Sequence, residues 1–253
     1  MPTLSVSQIS AYLGCPLKYR FQYVDKLPRP WRAAAMAFGT SVHAAIEWFH
    51  RERMDGRTPS VEKALEVFEA DWFAQNVEPL VFSEWEDAET LRDKGVALLT
   101  KYLVVMAESK AKAVESPFEL DLFDPETGED LDVHFRGYID LVEEGDTLVD
   151  VKTAGRMPEN GGLERHLQLS TYALVFYLLH AVIPKLRLDI LLKLKSPRIE
   201  QLPTERSLPD LAWTSRLIAQ TARAIEQGHF FPNPSWRCTE CEYFANCQAW
   251  RGP

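Results

Sequence analysis

Apolar residues recur with the spacing of an α-helix in several separate segments of the chain. The clearest lies between Ala33 and Met54, where Val42, Ala45, Ile46 and Phe49 share one stripe. The opposite stripe carries His43, Glu47 and His50. Further helices are predicted from a Ser5 or Ser7 cap to Leu13, and over Ser60 to Asn76, Ala88 to Lys112, Leu163 to Leu179 and Asp210 to Gln227.

Strand-like alternation of apolar and polar residues appears in the middle of the chain. It covers Glu115 to Phe123, Asp132 to Val142 and Thr147 to Thr153, and another strand is predicted over Leu186 to Lys195. Residues 143–146 form a tight turn, so the second and third strands make a hairpin. This order of elements predicts an α/β fold with a mixed sheet flanked by helices, and the helical pair over 60–112 is expected to stand beside the core.

The predicted hairpin divides its side chains between two faces because successive residues of a strand alternate. Arg136, Tyr138 and Asp140 are expected on one face, with Ile139 and Leu141 on the other. In the partner strand, Leu148, Asp150 and Lys152 share a face opposite Val149 and Val151. The hairpin can therefore bring Asp140 beside Asp150 and Lys152.

Two acids and a lysine on a half-buried face indicate a metal site, because unpaired buried charge is strongly unfavourable. Carboxylate oxygens suit Mg²⁺ or Mn²⁺, which polarise a phosphate and lower the pKa of a bound water. Lys152 is then placed to hold that water and to offset developing charge. The alternative is a cross-strand salt bridge between Asp140 and Lys152 on an exposed face.

Three short motifs stand in a definite order along the chain. Gly137-Tyr138-Ile139-Asp140 followed by Asp150-Val151-Lys152 resembles the core motif of PD-(D/E)XK nucleases, in their RecB-like branch. Upstream, Gly39-Thr40-Ser41-Val42-His43 with Glu47 resembles the helical histidine motif of that branch. Downstream, Gln168-Leu169-Ser170-Thr171-Tyr172 resembles its Q-x-x-x-Y motif. Each motif alone is weak, but their order and spacing together are specific.

The resemblance implies a restriction-endonuclease-like core and assigns roles by position. It implies that the metal is bound by His43, Asp140, Asp150 and the carbonyl of Val151, and that Lys152 positions the water. Gln168 and Tyr172, which share a helix face, would contact the DNA strand near the scissile phosphate. Glu47, one turn after His43, would either orient the imidazole or form a surface pair.

Four cysteines form a second candidate site. Cys238, Cys241 and Cys247 have the spacing C-x₂-C-x₅-C, and Cys15 lies far upstream. Thiolates at such spacing bind zinc or an iron-sulfur cluster, spacing does not choose between them, and free buried thiols remain the alternative. The arrangement is similar to that of AddB-type and CRISPR-adaptation nucleases, which implies a [4Fe-4S] cluster. A metal site that joins Cys15 to Cys238 would exist only in the folded chain, so the free energy of metal binding would stabilise the fold.

Length and charge bound the organisation of the chain. The 253 residues suit a single nuclease domain, with a helical insertion at about 55–112, a catalytic sheet core at 115–200 and a staple formed by residue 15 and residues 230–250. The net charge of −9 argues against a protein that coats nucleic acid with its whole surface. Residues 18–32 are locally basic. The aromatic residues Tyr19, Phe21 and Tyr23 in this segment either contact single-stranded DNA or belong to the core.

These features predict a metal-dependent DNA nuclease, expected to be an exonuclease on single strands or DNA ends in repair, recombination or related processing. A non-catalytic DNA-binding scaffold with the same fold, and a zinc-stapled hydrolase of RNA, remain alternatives. The chain has no G-x-x-x-x-G-K-[ST] motif, so unwinding would need a helicase or another repair or adaptation subunit. Neither a membrane-length apolar run nor a secretory signal is evident, so a cytoplasmic location without membrane contact is expected.

Overall fold

A computed structural model describes residues 3–75, 79–157 and 162–252. The helices are α1 Val6–Gly14, α2 Pro16–Tyr19, α3 Ala34–Met54, α4 Val61–Ala74, α5 Ala88–Val105, α6 Leu167–His180, α7 Leu208–Glu226 and α8 Phe244–Ala249. The strands are β1 Thr3–Leu4, β2 Arg32–Ala33, β3 Leu80–Val81, β4 Ala111–Phe123, β5 Asp130–Glu143, β6 Thr147–Ala154, β7 Lys185–Leu192 and β8 Arg198–Thr204. A π-helical turn covers Arg20–Val24, and a 3₁₀ turn covers Trp236–Glu240.

Several helices begin where the sequence supplies a capping side chain. Ser5, Ser60 and Asp87 each accept a hydrogen bond from a backbone N–H of the first turn, which stabilises the starts of α1, α4 and α5. A capping box between Ser207 and Asp210 starts α7. The predicted end of α4 at Asn76 lies outside the described residues.

The central sheet is mixed, as predicted. Its strands run in the order β1-β5-β6-β7-β8, and β4 also pairs with β5. The β5–β6 hairpin is antiparallel, whereas β6 and β7 are parallel. Since β4 pairs along nearly the whole length of β5, the strands β1 and β6 must share the other edge of β5. Residues 136–140 lie between those two pairings on that edge.

Two hydrophobic clusters cover the two faces of the sheet. One joins α1, α6 and α7 to sheet residues such as Phe135, Ile139 and Leu148. The other joins α3, α4 and α5 to Leu141, Val149 and others. The expectation that the helical pair over 60–112 stands beside the core is therefore wrong, because α4 and α5 supply part of the core layer itself.

The predicted face of Leu141 is also wrong. Ile139 packs in the first cluster and Leu141 in the second, although two residues of a regular strand at that spacing share a face. Opposite Asp140, the β4–β5 ladder omits the pair with Glu115, whose φ is 45°, so the regular strand pairing is interrupted at this point.

Several predicted boundaries also differ from the structure. The helix predicted over Ala88 to Lys112 ends at Val105, and residues 111–112 already belong to β4. Helix α6 starts at Leu167 rather than Leu163. Strand β8 was not predicted, because Pro203 and frequent charged or polar residues make Arg198–Thr204 a poor strand pattern; it pairs with β7 at the end of the sheet order.

The two ends of the described chain meet at a third, small cluster. Leu17, Phe21 and Tyr243 are its buried members, and three of the four cysteines pack partly against it. The backbone N–H of Leu17 donates to Phe231, and Lys18 pairs with Glu242 at 2.8 Å. Tyr19 and Phe21 are buried, which confirms the core alternative for these two aromatic residues. Among the described helices, none combines the length and apolarity needed to cross a membrane.

Candidate active site

Asp140 lies where the β5–β6 hairpin opens. The ladder between these strands runs from Glu143 and Thr147 to Leu141 and Val149, and Asp140 follows the last pair. Its Oδ2 accepts a hydrogen bond of 3.0 Å from the backbone N–H of Val151. A side chain thus bridges the two strands where the backbone ladder stops, and the carboxylate of Asp140 is fixed beside β6.

His43 reaches the same point from α3. Its Nε2 lies 2.9 Å from the carbonyl oxygen of Val151, and because a carbonyl only accepts, Nε2 is the donor in this contact. Its Nδ1 lies 3.9 Å from both Glu115 Oε1 and Asp140 Oδ2. Burial lowers the pKa of His43, but Glu115 and Asp140 outweigh burial and hold the pKa above its usual value.

Glu115 is a site residue that the sequence prediction missed. The register of β4 against β5 places it opposite Asp140, and its left-handed φ turns it out of the regular ladder. Ligand atoms of His43, Glu115 and Asp140 all lie within 4.8 Å of one another. Of the two alternatives stated for Glu47, the structure shows the surface pair: Glu47 pairs with Arg51 at 2.6 Å.

Asp150 and Lys152 extend the site along β6. Asp150 is 0% exposed; its Oδ1 accepts a 2.6 Å hydrogen bond from Lys152, and its Oδ2 is buried with no hydrogen-bond partner among the described residues. Burial raises the pKa of Asp150 to about 7; Lys152 opposes this shift and Asp140 adds to it. Two neighbouring carboxylates, one of them with an unsatisfied oxygen, are the electrostatic situation that a cation relieves.

Gln168 and Tyr172 of α6 form a chain of hydrogen bonds that ends on Asp140. Lys152 donates to Gln168 at 2.9 Å, Gln168 donates to Tyr172 at 2.6 Å, and Tyr172 donates to Asp140 Oδ1 at 2.8 Å. Burial, with Asp140 and Asp150 nearby, raises the pKa of Tyr172 well above its usual value, so the hydroxyl stays a donor.

This arrangement corrects the role expected for Tyr172. Its side chain is 0% exposed, so it cannot contact a DNA strand in this structure. It orients the carboxylate of Asp140 instead. Gln168, which is only half-buried, lines the cavity in front of Asp140.

The donor set fits a hard divalent ion. Adjacent ligands of an octahedral ion with bonds of 2.0–2.1 Å stand about 3 Å apart. The 2.9 Å between His43 Nε2 and the Val151 oxygen matches that separation, so both atoms can bind one ion without moving far. If Nε2 held the ion, Nδ1–H would face the carboxylates of Glu115 and Asp140, which is the usual support for a metal-binding imidazole.

The four cysteines are free thiols that gather at the meeting point of the chain ends. Burial raises the pKa of Cys247 most, and Cys15, Cys241 and Cys238 raise it further, so all four lie in one electrostatic neighbourhood. Burial likewise raises the pKa of Cys241. All four positions are described, and no three of their sulfur atoms lie within 4.8 Å of one another.

Comparisons with known proteins match one family model to nearly the whole chain. The model of the PD-(D/E)XK nuclease superfamily matches residues 3–248. The Gene 69 protein of Mycobacterium phage L5 is 36% identical over 73 residues, which are 28% of this chain and 24% of that protein. The Gene 69 protein of Mycobacterium phage D29 is 25% identical over 287 aligned positions, covering 99% of this chain and 98% of that protein.

A solved structure shares the fold. The crystal structure of a "Putative exonuclease" from Eubacterium rectale superposes with a TM-score of 0.65, at 11% sequence identity, over 99% of this chain and 90% of that one. At that identity the likeness concerns the fold alone. The family model, in contrast, spans nearly all of the chain and includes His43, the β5–β6 hairpin and α6. The chain belongs to the PD-(D/E)XK nuclease superfamily.

Proposed function

We propose that the protein is a Mg²⁺- or Mn²⁺-dependent deoxyribonuclease that hydrolyses phosphodiester bonds of single strands or DNA ends. The observation that carries this proposal is the meeting of His43, Asp140 and the Val151 carbonyl around one point, with Asp150 and Lys152 beside them. Helix α3 supplies His43, and the β5–β6 hairpin, which reaches Val151 108 residues later, supplies the other groups. A chance surface salt bridge would not require this convergence.

The proposed roles follow from the contacts. The ion would be held by His43, Asp140, Asp150 and the Val151 carbonyl, and would polarise the phosphate and lower the pKa of a water. The side chain of Lys152 is 40% exposed, so its ammonium can move away from Asp150 and hold the attacking water. Tyr172 keeps Asp140 oriented, and Glu115 keeps His43 oriented.

Action on DNA ends is the finer part of this proposal. The name of the Eubacterium rectale protein, "Putative exonuclease", supports a proposal of attack from strand ends. We further propose that residues 1–253 act as one nuclease unit in DNA repair, recombination or related processing in the cytoplasm. A helicase or another repair or adaptation subunit would supply the unwound strand.

End-labelled oligonucleotides test this function directly. Single- and double-stranded DNA, labelled at the 5′ or the 3′ end, are incubated with protein and Mn²⁺, beside Asp150→Ala and Lys152→Ala variants. Lys101→Ala, which changes an exposed lysine on α5, is the matched control. We expect ladders from the wild type and from Lys101→Ala, and at least a hundredfold slower cleavage by the two site variants.

Two other outcomes would replace the proposal. Binding of DNA without cleavage by every form, wild type included, would identify a non-catalytic scaffold. Cleavage of RNA with intact DNA would identify a hydrolase of the other nucleic acid.

We propose that the four cysteines hold a structural [4Fe-4S] cluster. Three of the four thiols pack partly against one small cluster, and Cys15, Cys238 and Cys241 each affect the pKa of Cys247, which supports binding of one shared group. Both chain ends would be tied at this point, consistent with the contacts of Leu17 and Lys18 with the C-terminal segment.

Metal analysis of the purified protein tests the cluster. We expect a brown protein with about four iron atoms and four acid-labile sulfides, and a lower thermal midpoint for Cys238→Ala because cluster-binding free energy stabilises the fold. A colourless protein with one zinc ion would overturn the cluster, and an unchanged thermal midpoint for Cys238→Ala would overturn its structural role.

A further inference from the structure

A groove leads to Asp140 along the open edge of β5. Strand β1 pairs with β5 at residues 134 and 135, and β6 pairs at 141–143, so residues 136–140 have no strand partner on this edge. The gap opens into a cavity of about 850 Å³ that is lined by Ser5–Ser7 of the α1 start, by residues 117–119 of β4 and by Gln168. Asp140 lies in its wall, so the cavity is continuous with the candidate active site.

An exposed aromatic ring stands in this groove next to the catalytic acid. Tyr138 is 60% exposed, belongs to none of the hydrophobic clusters and has no hydrogen bond to the described residues. It lines the same cavity as Asp140 and precedes it by two residues, so their Cα atoms lie about 7 Å apart along the strand. Packing therefore gives no reason for an aromatic residue at this position.

A basic side chain lies in the same groove, farther along β5 from the active site. Arg136 also lines the groove, is exposed, and has no carboxylate within salt-bridge distance among the described residues. Its cross-strand neighbour Glu119 bonds instead to His134 Nε2 at 2.8 Å. A free guanidinium is suited to a phosphate, since its planar fork presents several N–H donors to the oxygens.

We propose that Tyr138 stacks on a nucleobase next to the cleaved phosphate while Arg136 contacts a phosphate farther along the same strand. This inference rests on the proposed nuclease function and names the form of its substrate. Stacking on a side chain requires a base that is free of its complementary strand. The groove therefore selects a single strand or an unwound end, and the selection is independent of sequence because every base has a π-face.

An abasic scan tests the stacking. Single-stranded oligonucleotides, each with one abasic residue at a different position, are cleaved by the wild type and by Tyr138→Ala and Tyr138→Trp. We expect kcat/KM of the wild type to fall about tenfold when the missing base is the one that stacks on Tyr138. Tyr138→Ala should cleave the intact strand about tenfold more slowly and lose that position dependence. Tyr138→Trp should retain both the rate and the dependence.

Phe123→Ala is the matched control. It removes another exposed aromatic ring from the same strand pair, at the β4 residue opposite Asp130, about 26 Å along the strand from position 138. Its abasic profile should equal that of the wild type. A Tyr138→Ala profile that keeps the wild-type dip would overturn the stacking proposal. Absence of any cleavage by the wild type would instead overturn the proposed function, so the two failures are distinguishable.

Discussion

The Nε2 of His43 lies 2.9 Å from the carbonyl oxygen of Val151, which joins α3 to the second strand of the catalytic hairpin. This contact is a hydrogen bond, and it leaves Nδ1 facing the carboxylates of Glu115 and Asp140. A divalent ion would take Nε2 and the carbonyl oxygen as ligands, and Nδ1–H would then donate toward those carboxylates. The imidazole is thus positioned by residues from three elements before any ion binds.

Glu115→Gln should weaken metal binding without abolishing it. The substitution removes the charge that supports Nδ1 of His43, and loss of such support typically lowers metal affinity or activity 10- to 100-fold. Titration of cleavage with Mn²⁺ measures the shift. Glu47→Gln is the control, because Glu47 is one helical turn from His43 but pairs with Arg51. An equal effect of both substitutions would contradict this assignment, and complete loss of binding in Glu115→Gln would make Glu115 a direct ligand.

Tyr172→Phe should lower kcat while the protein stays folded. The phenyl ring keeps the packing of a fully buried side chain, but Asp140 Oδ1 loses its hydroxyl donor and Gln168 loses its partner. We expect kcat to fall about 10- to 100-fold, as for other residues that orient a metal ligand. Tyr177→Phe, on the same helix, is the control. Wild-type kcat in Tyr172→Phe would show that Asp140 needs no such support.

The sequence predicted the elements of the site better than its details. The alternation of residues 135–153 correctly predicted a hairpin with Asp140 and Asp150, because one strand face must be buried and the turn at Gly145 fixes the register. Helix α3 was predicted within one residue at its start from its apolar stripe. The face assigned to His50 was wrong: it is buried against Tyr102, because α4 and α5 cover more of α3 than an amphipathic pattern reveals.

The role of Glu115 was not visible in the sequence. Its position depends on the pairing of β4 with β5 and on a left-handed φ, and neither follows from composition or periodicity. The burial of Tyr172 was missed for a related reason. Residues Gln168 and Tyr172 share a helix face in any helix, but only the packing of α6 against the sheet decides whether that face meets substrate or Asp140.

Gly95→Ala should destabilise the protein although alanine favours a helix. A Cβ at position 95 would overlap the ring of Phe68, a fully buried residue of α4 that packs in the same cluster as α5. Overpacking of this kind costs about 1–3 kcal/mol, more than the roughly 1 kcal/mol that alanine contributes in a helix. Gly14→Ala is the control, since the nearest atom to its Cβ would be 3.8 Å away. The measurement is chemical denaturation, and a Gly95→Ala variant as stable as the wild type would contradict the close approach.

His50 should make the folded state sensitive to mild acid. Burial lowers its pKa to about 4, with Arg53 and Arg187 adding to this shift and Glu143 opposing it. In the unfolded chain the imidazole binds a proton near its usual pKa of 6.5. The free energy of unfolding therefore decreases as the pH falls from 6.5 toward 4. The full loss is about 3 kcal/mol. His50→Gln should show a smaller fall in the free energy of unfolding between pH 7 and pH 5 than the wild type, and parallel pH curves would contradict the prediction.

Arg187→Met should cost more stability than any of these changes, because it leaves two acids without their counter-ion. Arg187 bonds to Glu143 at 2.6 Å and to the fully buried Asp189 at 2.7 Å. Removal of one partner of a buried ion pair costs about 3–5 kcal/mol. Burial raises the pKa of Glu143, but Arg187 and Ser109 outweigh burial and hold that pKa below its usual value. Without Arg187 the Glu143 carboxyl would take up a proton at a higher pH, so the loss should be smaller at pH 5 than at pH 7. Arg198→Met, whose partner Glu200 lies in the exposed β8, should cost under about 1 kcal/mol. Equal losses in the two variants, measured by urea denaturation, would mean that solvent screens the Arg187 cluster as well.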